Sequence, residues 1–153
     1  MTDLALTARE IIDRSLYMVL GTADESGRPW VSPVYFAVSN YTDFYWVSLP
    51  DAQHSRNLAA RPEVSIVVFD SGVPIGTGQG VYMAARAEEL AGSELERGIE
   101  VFSRRTLAHG GRPWNADDVR PPAPHRLFRA SATQHWTLDP TAKPGDHRTP
   151  VTP

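Results

Sequence analysis

There is no cysteine in this chain of 153 residues. That excludes a disulfide framework, a thiolate zinc site and a cysteine nucleophile. No apolar run approaches the roughly 20 residues that a membrane-spanning helix needs. The first ten residues, MTDLALTARE, lack the basic and apolar regions of a signal peptide. A cytoplasmic protein without a membrane partner is therefore expected. An excess of basic residues is missing too. The formal net charge is -3, whereas a dedicated nucleic-acid binder normally shows a basic patch or stripe. No pair of the five histidines has metal-ligand spacing with carboxylates nearby, so no metal site is expected.

What is present is an ordinary soluble composition, 41% hydrophobic and 22% charged, in a length that suits one domain with a core of its own. Thr7-Ala8-Arg9-Glu10 fits a capping box with Thr7 as N-cap, and the apolar spacing predicts a helix over residues 4–15. The pattern then changes. Residues 17–22, 30–38 and 44–48 read as strands rich in β-branched and aromatic side chains, with turns at Asp24-Glu25-Ser26-Gly27 and at residues 40–43. Pro33 interrupts the second of these. Asp51 is placed to cap a short helix that Pro62 ends.

Residues 64–70 and 78–89 are the next two strands, the latter with Val81, Met83 and Ala85 on one side and Tyr82 on the other. Ser93-Glu94-Leu95-Glu96 is a second capping-box candidate, opening a helix that Gly110-Gly111 stops. An irregular stretch follows, with one helical turn capped by Asn115. Residues 125–138 read as a last strand. From Thr141 the sequence is polar and Pro-rich, which predicts a domain over 1–140 and a disordered tail over 141–153. Gly76-Thr77-Gly78-Gln79-Gly80 precedes a strand and lacks the lysine of a phosphate loop, so it reads as a turn. The expected fold is mainly β: six antiparallel strands in a split β-barrel, with short helices flanking it.

Several segments, in order, resemble the pyridoxamine 5'-phosphate oxidase-like superfamily of split barrels. They are Gly27-Arg28-Pro29-Trp30-Val31-Ser32-Pro33-Val34, Tyr45-Trp46-Val47-Ser48, His54-Ser55-Arg56-Asn57-Leu58 and Arg61-Pro62-Glu63-Val64-Ser65, with Arg126-Leu127-Phe128-Arg129 through Trp136-Thr137-Leu138 resembling the family's final strand. The resemblance implies a homodimer with two cofactor sites in the grooves between subunits. It implies FMN as the cofactor, with a deazaflavin as the alternative and haem as a weaker one. The ring would lie across Trp30, Val31, Ser32, Pro33 and Val34 on one strand and Trp46, Val47 and Ser48 on the next, with Trp136 over its edge. An apolar, partly aromatic slot with a few backbone donors is what such a ring needs.

His54, Ser55 and Arg56 would hold the phosphate at the start of the second helix, where backbone N–H groups and a guanidinium suit an anion. A solvated helix face is the other reading of the same three residues. Packing in a core or interface is the other reading of Trp30, Trp46 and Trp136. The oxidases of the family usually carry Lys where this chain has His54, and Arg near the position of Ser32. Oxidation of pyridoxamine phosphate itself is therefore not expected.

The function implied is a flavin- or deazaflavin-dependent oxidoreductase acting on a small organic substrate. The alternatives are a non-catalytic carrier of flavin, deazaflavin or haem, and a cofactor-free dimeric domain. No side chain stands out as an obligatory acid or base, and none is named as catalytic. There is no nucleophile-elbow motif to support a hydrolase.

Overall fold

A computed structural model describes residues 3–142 and 147–153. The first helix, α1 (Leu4–Arg14), is capped by Asp3, whose carboxylate accepts from the Ala5 and Leu6 amides at 3.1 Å each. Thr7 is therefore not the N-cap. It lies inside the helix with its hydroxyl on the Asp3 carbonyl. An Asp four residues upstream takes the orphan amides first. Ala8, Ile11 and Ile12 form the buried face of α1.

β1 (Tyr17–Ala23) turns at Asp24, whose carboxylate accepts from the amides of Ser26 and Arg28. Gly27 sits there at φ 87°, a left-handed conformation that suits glycine. The expected strand over 30–38 is two strands, β2 (Pro29–Tyr35) and β3 (Ala37–Ser39), divided at the fully buried Phe36. β2 pairs with β1 and β3 with β4 (Asp43–Ser48). Pro33 is tolerated because β2 has β1 as its one partner, so the missing N–H faces away from the ladder.

α2 (Gln53–Ala60) begins after Ala52, with no side-chain cap, so Asp51 does not cap it. β5 (Glu63–Phe69) and β6 (Gly80–Glu89) form a hairpin. α3 (Gly92–Ala108) starts after Ala91, again without a side-chain cap, so the box at Ser93 and Glu96 does not form. Gly92 at φ 61° turns the chain into the helix and sets its start before Ser93. A 3-10 turn at Ala116–Val119 is capped by Asn115 as expected. β7 (Arg126–Leu138) follows.

The tail departs from expectation. Residues 148–151 form β8 (Arg148–Val151), paired with the end of β7 from His135↔Val151 to Leu138↔Arg148. β7 is 13 residues long, and β4 pairs only with its first half, through Ser131. The exposed edge of its second half provides the template for β8. The part of the expected disordered tail at 143–146 lies outside the described residues.

The sheet order is β2-β1-β5-β6-β7-β4-β3, with β8 on β7. β2 and β3 stand at opposite ends of this order yet are joined through Phe36. One bent run therefore closes the sheet into a split β-barrel with flanking helices, as the sequence predicts, although the described residues form eight strands where six were expected. Inside lie Leu20, Phe36, Phe44, Trp46, Val68 and Phe128, among others, with α1 packed over them. A second cluster, including Tyr45, Leu95, Ile99, Phe102 and Leu127, lies beneath α3. Close approach of α3 depends on Gly98: a Cβ there would stand 2.8 Å from Tyr45 Cε1. β4 is thus covered on both faces, with Phe44 and Trp46 turned into the barrel and Tyr45 toward α3.

Candidate functional site

The helix-start cluster does not converge on one open point. The His54 imidazole is buried, with Nε2 2.9 Å from the Ser48 hydroxyl. Burial holds its pKa below the ordinary histidine value, which favours the neutral ring at neutral pH. Ser55 is also buried, and its hydroxyl donates to the Leu49 carbonyl at 2.7 Å, closing the turn into α2. Arg56 is exposed and donates to Gln53 Oε1. It lines a polar groove of about 470 Å³ together with Asp24, Glu25, Ser26, Gln53 and Asn57. Neither His54 nor Ser55 reaches that groove, and its two carboxylates oppose a phosphate. Asn57 donates to the Thr22 hydroxyl at 3.1 Å and accepts from Gln53, which ties α2 to β1.

Trp46 is fully buried and stacked on Phe128, 5.7 Å between centroids at 14°. Its indole faces the barrel interior, and its Nε1 has no hydrogen-bond partner among the described residues. Val47 is half-buried and packs against the cluster beneath α3. Val34 is turned into the core, Ser32 is half-buried, and Pro33 is exposed on the edge strand.

Trp30 and Val31 are different. They are 51% and 68% exposed, high for residues of this size and apolarity. Val31 lies on the open face of the sheet formed by β1, β2, β5, β6 and β7, whereas Trp30, its neighbour along β2, takes the opposite face and is exposed at the strand's start. Two adjoining grooves run over this face. One, of about 390 Å³, is lined by Val19, Val31, Val67, Tyr82 and Trp136, with Arg148 at its rim. The other, of about 660 Å³, is lined by Pro29, Trp30, Val31, Thr133 and the ion pair of Arg86 with Glu63. They share Gly21, Val31, Ser65 and Ala84. Gly21 leaves the floor bare. A Cβ there would fit at 3.4 Å from the Ser65 carbonyl and would fill the junction of the grooves. Glycine within a strand often marks such a close backbone approach.

This face can take a flat apolar ring against strand backbone, with one guanidinium at hand for an anion. The residues fit a flavin-type group in that sense. They do not fit haem as well. His54 and His135 are buried and hydrogen-bonded, and no histidine lines either groove, whereas haem iron is commonly held by one. Among the described residues there is no group of three or more His, Asp or Glu placed to hold a metal ion. No helix of the described residues is long and apolar enough to cross a membrane.

Of the predicted ring residues, the grooves take in Trp30, Val31 and Trp136. Gly21, Tyr82 and Arg148 are the members that sequence reasoning did not reach. The outward position of Tyr82 in its strand was a usable signal. Arg148 offered none, because its segment reads as a polar tail.

The Pyridoxamine 5'-phosphate oxidase family profile matches residues 5–139. No curated protein matches the chain. Among solved structures, a haem-binding protein from Mycobacterium smegmatis superposes with a TM-score of 0.76 at 19% identity, over 99% of this chain and 59% of that one. The chain thus spans little more than half of that protein's length. A FAD-binding protein from Mesorhizobium loti superposes at 0.63 with 28% identity, covering 87% of this chain and 92% of the other. An F420 reductase superposes at 0.61 with 18% identity, covering 84% and 94%. The likenesses under a quarter identical speak for the fold alone. With the family profile spanning nearly the whole split barrel, the chain belongs to the pyridoxamine 5'-phosphate oxidase family.

Proposed function

We propose that this protein binds a flavin or a deazaflavin in the grooves of its open sheet face and acts as an oxidoreductase on a small organic molecule. FMN is the first candidate cofactor. The observation that carries the reading is the bare strand floor at Gly21, walled by Val31, Tyr82 and Trp136. Binders of FAD and haem and an F420 reductase among the structural relatives support the cofactor class. The absence of a histidine from the grooves favours a flavin-type ring over haem.

When bound, such a ring accepts or donates hydride. The chain's own part is to hold and shield it. Val19 and Val31 supply apolar contact, Tyr82 and Trp136 supply aromatic faces, and the Gly21 backbone permits close approach. A second copy of the chain covers the exposed Tyr17, Val31 and Phe69 in this reading, which completes the site at a homodimer interface and excludes water. Among the described residues neither groove carries an unpaired carboxylate or a histidine, so proton transfer from the protein has few candidates. That observation favours a carrier as the second reading.

The test is the visible spectrum of the purified full chain, followed by titration of FMN and a deazaflavin with fluorescence quenching as signal. Saturable quenching at one ligand per chain, with gel filtration at the dimer mass, is expected. A colourless protein that quenches neither ligand refutes the reading. Bound flavin that no nicotinamide donor reduces selects the carrier.

A further inference from the structure

The smaller groove has a cation at its rim and, among the described residues, no carboxylate in its lining. Arg148 reaches over two aromatic rings, its guanidinium carbon 5.6 Å from the Tyr82 centroid and 5.4 Å from that of Trp136. The two rings are neighbours by construction, since Tyr82 and Trp136 are register partners across β6 and β7. β8 fixes the arginine there, through the pair Leu138↔Arg148. No ion pair engages Arg148 among the described residues, whereas Arg86, the cation of the adjoining groove, is joined to Glu63 at 2.9 Å. A guanidinium lying on aromatic faces keeps its N–H edge available in its own plane. That edge matches the oxygens of a phosphate.

We propose that Arg148 is a phosphate-recognition group, through which the C-terminal strand selects the phosphorylated form of the aromatic ligand held in the groove. The proposal rests on the flavin-type reading above and adds to it the residue that discriminates a phosphate ester from the free alcohol. It also gives β8 a purpose beyond edge protection: the strand carries the cation to a face whose other walls are apolar.

The experiment measures Kd for FMN and for riboflavin, which differ by the phosphate, on the full chain and on Arg148→Ala and Arg148→Lys. The native chain should bind FMN about tenfold more tightly than riboflavin, the scale of one charge-assisted hydrogen bond. Arg148→Ala should weaken FMN by about that factor and leave riboflavin within about twofold. Arg148→Lys should fall between, since it keeps the charge and loses the fork. The FMN preference should also shrink with added salt. Equal losses for both ligands would show that Arg148 only packs on Tyr82 and Trp136, and would overturn the proposal. An unchanged FMN affinity, or a native chain that binds both ligands alike, would overturn it while leaving the flavin reading intact. A native chain that binds neither would sink both.

Discussion

Trp46 offers a sharp test of whether burial or ligand contact explains a residue of this barrel. It is fully buried, stacked on Phe128, and carries an indole N–H without a partner among the described residues. Trp46→Ala removes the whole side chain, and the expected cost is about 3–5 kcal/mol. Trp46→Phe keeps the ring that stacks. It loses apolar volume worth about two methylenes, roughly 1.6 kcal/mol, but removes an orphaned buried donor whose desolvation costs about 1–3 kcal/mol. The two terms offset, so Trp46→Phe should lie within about 1.5 kcal/mol of the native chain. Urea unfolding followed by circular dichroism measures both variants. At about 2–4 °C per kcal/mol for a domain of this size, the melting points should separate clearly. If Trp46→Phe is as destabilising as Trp46→Ala, the N–H has a partner and the offset argument fails. If it instead keeps its stability and loses FMN affinity, the indole touches the ligand and the assignment to packing is wrong.

Two further outcomes follow from the same geometry. Trp30→Ala should leave stability within about 0.5 kcal/mol, as expected for an exposed site, while weakening flavin binding by about 0.5–1.5 kcal/mol, the worth of an aromatic contact. Unchanged Kd would remove Trp30 from the site. His54 and His135 both have pKa values held down, chiefly by burial. The unfolded chain therefore binds their protons first. Stability should be complete above about pH 6.5 and decline as pH falls below that value toward the lower folded pKa values, with a slope of at most about 1.4 kcal/mol per pH unit for each histidine. Urea midpoints measured down to about pH 5, above the carboxylate range, should show a shallower decline for His54→Gln; an identical slope would contradict the assignment.

Strand pattern and turn chemistry carried most of the fold because each strand has one face committed to the barrel. Val81, Met83 and Ala85 against Tyr82 is the clearest case, since alternation over β6 gives both the strand and its inward face. Helix starts were less legible. Thr7 and Ser93 have the right partners three residues on, but an alternative start lies just upstream in each case, Asp3 in one and the left-handed Gly92 in the other. Local capping motifs compete with neighbours of similar worth, and tertiary context chooses between them. The division of the second strand at Phe36 could not be read from pattern, because both halves are equally β-rich and only their pairing partners differ.

The site was legible where exposure breaks the alternation rule and illegible where pairing is long-range. Trp30 and Val31 entered as candidates through the family-like segment at residues 27–34, and the structure leaves both exposed beside the grooves. Trp46 has the same composition around it, yet points into the barrel core, on a strand whose outer face α3 covers where Gly98 lets it come close to Tyr45. No local feature of residues 44–48 announces that cover. Arg148 is the reverse case. Its segment is polar and Pro-flanked, which predicts disorder, and what orders it is the edge of the second half of β7 that β4 leaves open. A short polar strand gains its place from an available edge rather than from its own propensity. Polar tails that follow a strand longer than its partner should therefore be read as candidate edge strands, and here that reading delivers the cation of the groove.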